Sequence, residues 1–368
     1  MSLIKPFRAL RPTRDAAAEV ASAPYDVMNF SEAKTLAEES ANSFLRVTRS
    51  EVDLPAGTDV YSSEVYECAK ENLEKLQAGG ILQRDAEPCL YVYRLVFGSQ
   101  IQTAVVACCS IDEYDNDLIK KHEKTRPDKE NDRTNHIVVT RAQTGLIFLT
   151  YRGTTEINKL VSQATTTAPV YDFTATDGVQ HTIWRVEETE NLVSAFAAVP
   201  TLYIADGHHR AASASRAREV LRAENPNHTG TEDYNFVVAA LFPAEELKIL
   251  AYNRVVKDLN GLSEEEFLAK LSPDFIVTET NVHVPESRGE FCLYLAGKWY
   301  KLRFNVAFFR QPDTIDALDA SILQNYILTP ILGIEDIRTD KRIDFVGGIR
   351  GTKELEKRVN SGDAQIAF

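Results

Sequence analysis

The sequence predicts a mixed α/β fold of the α+β kind, and three observations carry that prediction. Composition is globular, with 44% hydrophobic and 26% charged residues in 368, enough for one large or two ordinary domains. A strand-like run, Val199 to Ala205, passes through Asp206-Gly207 directly into an alanine-rich helical pattern, His209 to Arg222. Two hairpins are also legible. Cys89–Phe97 and Ile101–Ser110 flank Gly98-Ser99, and Phe291–Leu295 and Trp299–Phe304 flank Ala296-Gly297-Lys298. Strand–helix units together with hairpins point to a mixed sheet.

The elements follow in order. Residues up to about 30 carry Pro6, Pro12 and Pro24 and read as irregular, ending in Ala23-Pro24-Tyr25-Asp26-Val27. Ser31 reads as the cap of a helix through Ala41. A stronger helix spans Tyr61 to Gln77, with Val65, Cys68, Ala69, Leu73 and Leu76 at helical spacing and Gly79-Gly80 ending it. The stretch His122 to His136 is almost wholly polar, and fits either a solvated loop or a helix lining a cleft. Leu146–Tyr151 and Gln180–Val186 read as strands, and Thr155–Gln163 as a helix. Tyr234–Leu241 and Leu250–Val256 read as further strands. Ser263 and Glu266 form a capping-box pattern for a helix to Leu271. Leu318 to Ile331 is apolar at helical spacing, and Gly347-Gly348-Ile349-Arg350-Gly351 reads mainly as a turn. Domain limits of 1–250 and 251–368 are expected, the second a C-terminal lobe of one composite unit.

A net charge of −13 argues against nucleic-acid and anionic-membrane partners. The five cysteines show no CxxC spacing, and Cys108-Cys109 lie adjacent in an apolar strand, as buried thiols in a reducing compartment would. No apolar signal core or bilayer-length run is present. A soluble, cytoplasmic protein is expected, with a homodimer possible.

Four polar clusters lie at predicted element ends: Pro24-Tyr25-Asp26, His122-Glu123-Lys124, Asp206-Gly207-His208-His209-Arg210 and Asn253-Arg254. Element ends are where α/β proteins assemble sites. Gly207 permits a sharp strand-to-helix turn, and the helix N-terminus beyond it attracts phosphate. Asp206 could hold Mg²⁺ or orient a histidine, and Arg210 offers a fork to phosphate oxygens. His208 would join that cradle, with His209 at the chemical step. Glu123 is the candidate base, Arg254 a counter-charge for a substrate carboxylate or nucleotide phosphate, and Tyr25, Asp26 and His122 candidate substrate contacts. A bland reading also exists: an Asp cap, a Gly turn and surface histidines. Walker, GxGxxG, GxSxG and HExxH motifs are absent from the sequence. Zinc on Asp206, His208 and His209 is disfavoured, because adjacent helical residues point about 100° apart.

The Asp206-to-Arg210 run resembles the Asp-Gly-His-His-Arg signature of the ParB/sulfiredoxin-like superfamily. The whole chain resembles a large bacterial and archaeal family known as a domain of unknown function. The matching pieces are Ala23–Val27, His122–Thr125 with Asp132-Arg133, the central motif, Asn253–Val256, and Leu318–Leu323 leading to Leu332–Ile334. The resemblance implies a ParB/sulfiredoxin-like core with additional hairpins and a C-terminal lobe. Members carry His-Arg where this chain has Asn253-Arg254, and they continue past Ala364–Phe368, so a clipped C-terminus is expected. The sulfiredoxin branch needs a cysteine before His-Arg, where Gly207-His208 stand. The DNA-binding branch needs a basic helix-turn-helix. The free-serine kinase branch fits best and implies a nucleotide-dependent transferase using ATP or ADP with Mg²⁺, with L-serine the first acceptor to test. A nucleotide-binding regulatory protein without turnover, or a metal-dependent phosphodiesterase or nuclease, are the alternatives.

Overall fold

The computed structural model describes residues 4–305 and 315–368, and the fold is mixed α/β as expected. The chain divides into two compact units, one running up to Lys248 and the other beginning at Ile249.

The first unit is built on a nine-stranded mixed sheet. Its order is Ile119–Lys120, Leu202–Asp206, Ile147–Tyr151, Phe236–Pro243, Gln100–Ser110, Leu90–Phe97, Gln180–Val186 and Tyr171–Thr174, with Ile4–Lys5 also paired to Gln100–Ser110. Two pairings are parallel: Leu202 and Tyr203 beside Ile119 and Lys120, and Phe236–Pro243 beside Ile147–Tyr151. The alternation of strand side chains sends Val105, Ala107, Cys109, Ile147, Leu149, Leu202, Ile204, Ala239 and Leu241 to one face. There they form the main core with Ile157, Leu192, Phe196, Ala211 and Ala214. Those last residues belong to the helices Thr155–Ala164, Glu190–Ala197 and His208–Glu224. Tyr91, Ala104, Val106, Ala240 and Phe242 pack on the opposite face. Cys109 is buried and Cys108 half-buried, all five thiols are free, and burial raises the thiol pKa of both these neighbours.

The polar segment after Lys120 resolves into a short loop and the helix Pro127–Thr140, with proline at its first position. Its buried residues are polar: Asp132, Thr134, His136 and Thr140. It packs against His208–Glu224, whose buried positions between His208 and Leu221 are small, namely Ala211, Ala212, Ser213, Ala214 and Ala217. Ser213 Oγ donates to the Glu130 carbonyl across this seam at 3.1 Å.

The second unit holds a six-stranded antiparallel sheet in the order Phe275–Glu279, Lys298–Phe304, Glu290–Leu295, Ile366–Ala367, Tyr252–Val256 and Ile343–Gly347. Phe267, Leu271, Ile322, Leu323, Ile327 and Leu328 cover one face, and Leu355 of the helix Gly351–Asn360 covers the other. The expected capping box of Ser263 and Glu266 is present. Ala296 and Gly297 both take positive φ, 50° and 80°, as a two-residue hairpin loop requires.

Several expectations need correction. The first long helix begins at Phe30, not after Ser31, because Asn29 and Glu32 form the capping box. The Leu318–Ile331 pattern is an α-turn, Asp319–Leu323, followed by a π-helical stretch, Gln324–Leu328. The glycine-rich segment 347–351 joins the strand Ile343–Gly347 to the helix Gly351–Asn360, neither of which was anticipated. No helix among the described residues is long and apolar enough to cross a membrane.

Candidate functional site

Two neighbouring strands, Ile119–Lys120 and Leu202–Asp206, run parallel, and each leads into one of the two paired helices. The space outside the carboxyl ends of parallel strands is where α/β folds bind ligands. Leu202 and Ile204 face the core, while Tyr203, Ala205 and Asp206 are exposed. Gly207 then turns the chain with φ +91°, a left-handed conformation costly for a residue with a Cβ. A Cβ there would also stand 3.2 Å from Arg210 Nε and 3.4 Å from Ile147 Cα.

The first intrahelical bond beyond Gly207 is Ala211 N–H to the Gly207 carbonyl, 2.9 Å. The N–H groups of His208, His209 and Arg210 precede it, and no side chain caps this end. Such an end carries partial positive charge and unused donors.

His208 is buried and both its ring nitrogens are engaged. Nε2 lies 3.5 Å from the His122 N–H, and Nδ1 lies 3.3 Å from Glu123 Oε2. Its ring also meets the His122 ring edge-on, with centroids 4.3 Å apart. Burial, and then His122, push its pKa down to about 4, although Asp206 pulls the other way. An ion pair with Glu123 would require a charged ring. The neutral ring satisfies the same geometry, with Nε2 accepting and Nδ1–H donating to the carboxylate. The Glu123 side chain is half exposed, so water screens its pull on the imidazole.

His209 Nε2 accepts the Arg126 N–H at 3.1 Å. The adjacent histidines therefore pin both ends of the loop 122–126 through its backbone. Thr125 and Glu130 bond each other, and Arg216 reaches Glu130 at 3.3 Å, closing the far side. This differs from the expected phosphate cradle: the histidine rings hold the loop that presents Glu123. Arg210 also turns inward. Nη1 donates to the Leu146 carbonyl, Nη2 to Asp206 Oδ2 at 2.5 Å, and Nε is buried with no partner among the described residues.

Tyr25 reaches the same neighbourhood. The Arg133 guanidinium lies 4.3 Å from its ring centroid, and Arg49 donates to its carbonyl at 2.9 Å. Burial raises the Tyr25 hydroxyl to about 12; Arg133 and Arg210 act against that shift, and the exposed Asp26 reinforces it. Arg133 pairs with buried Asp132 at 2.8 Å, and Asp132 accepts the Tyr66 hydroxyl at 3.1 Å.

The structure thus brings His122, Glu123, Asp206, Gly207, His208, His209 and Arg210 together around the first turn of one helix, while Tyr25 lies against Arg133 and no contact among the described residues joins Asp26 to that turn. Arg254 belongs to the second unit. The reading from sequence had no role for Arg126, Asp132 or Arg133. A signal was present: Asp132 and His136, four residues apart, are two ionisable groups on one helical face. Among the described residues no three His, Cys, Asp or Glu side chains form a group able to hold a metal. Asp206 offers a single exposed carboxylate, which suits an ion held mainly by phosphate oxygens.

The profile of a family described as Protein of unknown function (DUF1015) matches residues 4–321. No curated protein and no solved structure matches the chain.

Proposed function

The chain belongs to that DUF1015 family, and from this premise we propose that it is a nucleotide-dependent phosphotransferase acting on a small hydroxylated metabolite. The observation that supports this best is the disposition of two exposed carboxylates about one uncapped helix N-terminus. Asp206 is tied to Arg210, and Glu123 to His208, within the first turn of the His208–Glu224 helix. Phosphoryl transfer is mainly positioning and electrostatic stabilisation. The N–H groups of His208, His209 and Arg210 are suited to phosphate oxygens. Asp206 would hold Mg²⁺ bound with ATP or ADP, an ion that would offset phosphate charge. Glu123 is half exposed on a loop pinned at both ends, and its carboxylate, which meets the His208 ring through Oε2, would take the proton of an acceptor hydroxyl. Tyr25 and Asp26, beside Arg133, would line the acceptor side. This reading agrees with the resemblance to the ParB/sulfiredoxin-like superfamily and its free-serine kinases, and L-serine is the first acceptor to test.

The test is a phosphotransfer screen. Protein, Mg²⁺ and ATP or ADP are incubated with L-serine and a panel of hydroxylated metabolites, and products are read by phosphorus NMR. A phosphorylated product with wild type, reduced about a hundredfold or more in Glu123→Gln and Asp206→Asn, supports the reading. Full transfer by Asp206→Asn would sink it. Saturable nucleotide binding without any product would replace it with nucleotide binding without turnover. Metal-dependent cleavage of a phosphodiester would replace it with a hydrolase.

A further inference from the structure

Arg254 in the second unit is a half-buried cation with no carboxylate paired to it among the described residues. It lies in the strand Tyr252–Val256, opposite Phe345 of the neighbouring strand. Its guanidinium carbon is 5.8 Å from the Tyr252 ring centroid and 5.7 Å from that of Phe345, and the two rings stack at 5.0 Å and 12°. Nη1 donates to the Tyr252 carbonyl at 2.9 Å. Nε is buried without a hydrogen-bond partner among the described residues. Burial holds its pKa below the usual arginine range, and the Tyr252 phenol acts weakly against that shift.

Several other half-buried arginines are neutralised: Arg11 by Asp85, Arg133 by Asp132 and Arg342 by Asp340. A desolvated charge is costly unless paired. Aromatic faces attract the flat side of a guanidinium but leave its N–H edge unsatisfied. That edge is the part shaped for a carboxylate or phosphate. The surroundings are apolar and open, since Ile249, Leu250, Tyr252 and Ile349 are exposed. Gly348 keeps the turn 347–350 against Ala251, where a Cβ would stand 2.8 Å from the Ala251 nitrogen. The exposed apolar side chains and the arginine therefore lie along one strip.

We propose that Arg254 is the centre of an anion-binding site in the second unit that takes a small organic acid with a planar apolar body. The carboxylate meets the guanidinium edge, and the body lies on Tyr252 and Phe345. This inference is independent of the phosphotransfer reading.

Benzoate and inorganic phosphate are the probes, titrated calorimetrically into the full chain and into Arg254→Met and Arg254→Lys. The expected result is benzoate binding to wild type, about tenfold or more weaker in Arg254→Met and partly retained in Arg254→Lys. Phosphate, lacking the apolar body, binds more weakly. Without ligand, Arg254→Met melts at or above wild type, because a half-buried charge without a carboxylate has been removed. Equal benzoate affinity in wild type and Arg254→Met, no benzoate binding to wild type, or a markedly lower melting temperature for Arg254→Met would each overturn the proposal. Phosphate binding as tight as benzoate would overturn its apolar half.

Discussion

The two units bury different kinds of surface where helices meet their surroundings. In the first, the helix Pro127–Thr140 buries Asp132, Thr134, His136 and Thr140, with Asp132 meeting Tyr66 and His136 the Val47 carbonyl, and the helix His208–Glu224 beside it buries His208 and Ser213. In the second, the helical cover of the sheet is Phe267, Leu271, Ile322, Leu323, Ile327, Leu328 and Leu355. Apolar cover yields stability from burial alone. Buried ionic groups contribute little net stability, yet removing one partner is very costly. The polar seam formed by these groups is therefore expensive as architecture, and it belongs to the helix that follows the loop carrying Glu123. The difference is one of cost: in the first unit these helices bury groups that need partners, and in the second they bury groups that need none.

The largest break in that contrast is at Asp132. Its carboxylate neutralises Arg133 at 2.8 Å and accepts from Tyr66. Asp132→Ala strands a buried guanidinium, and a loss of about 3–5 kcal/mol in urea unfolding is expected. The double variant Asp132→Leu with Arg133→Met should recover most of that loss. If the single variant costs no more than a typical surface substitution, the seam is wetter than its geometry implies.

Acid should weaken the seam next. His136 and His208 are both held near pKa 4, mainly by burial, against an ordinary 6.5. The folded state resists their protonation while the unfolded chain accepts it. Stability is therefore full above pH 6.5 and declines as pH falls from 6.5 toward 4. Each histidine contributes on the order of 1–3 kcal/mol across that window. Urea midpoints at pH 7.5, 6 and 5 measure the slope, and His136→Gln should flatten it. A flat profile in wild type would show that the two rings are hydrated.

Much of this was legible in sequence, for identifiable reasons. Strands with strict alternation, such as Gln180–Val186, and helices with strong caps, such as that after Ser263, emerge where local chemistry alone decides. The strand–Gly207–helix switch was readable because a positive φ needs glycine there. The inward turn of the histidines and Arg210 was not. Their partners are backbone groups of His122, Arg126 and Leu146, and sequence does not announce which carbonyl or N–H lies nearby in space. The strand Ile343–Gly347 and the helix after it were hidden by their glycines, which read as a turn.

Gly207 offers a smaller, sharper perturbation. Gly207→Ala introduces a Cβ at φ +91°, 3.2 Å from Arg210 Nε. The expected cost is about 1–2 kcal/mol from the left-handed backbone. Displacement of Arg210 from the Leu146 carbonyl should also disturb nucleotide binding. Thermal melts with a nucleotide titration on the same samples separate the two effects. Unchanged nucleotide affinity would mean that Arg210 does not organise the turn.

The smallest stability effect should accompany the largest functional one, at Asp206. Its side chain is 68% exposed, and its partner Arg210 retains the Leu146 carbonyl when the carboxylate is removed. The asparagine amide oxygen can still accept from the sheltered Arg210, and exchanging one acceptor for another costs about 1 kcal/mol, so Asp206→Asn should melt within a few degrees of wild type. Asp132 and Asp206 thus present the same residue type, each beside an arginine, with opposite consequences. Removing the buried one should unfold the seam; neutralising the exposed one should leave the fold intact and abolish phosphotransfer. An Asp206→Asn protein that melts far below wild type would make the exposed pair structural, and the contrast between scaffold and site would have to be redrawn around Glu123 alone.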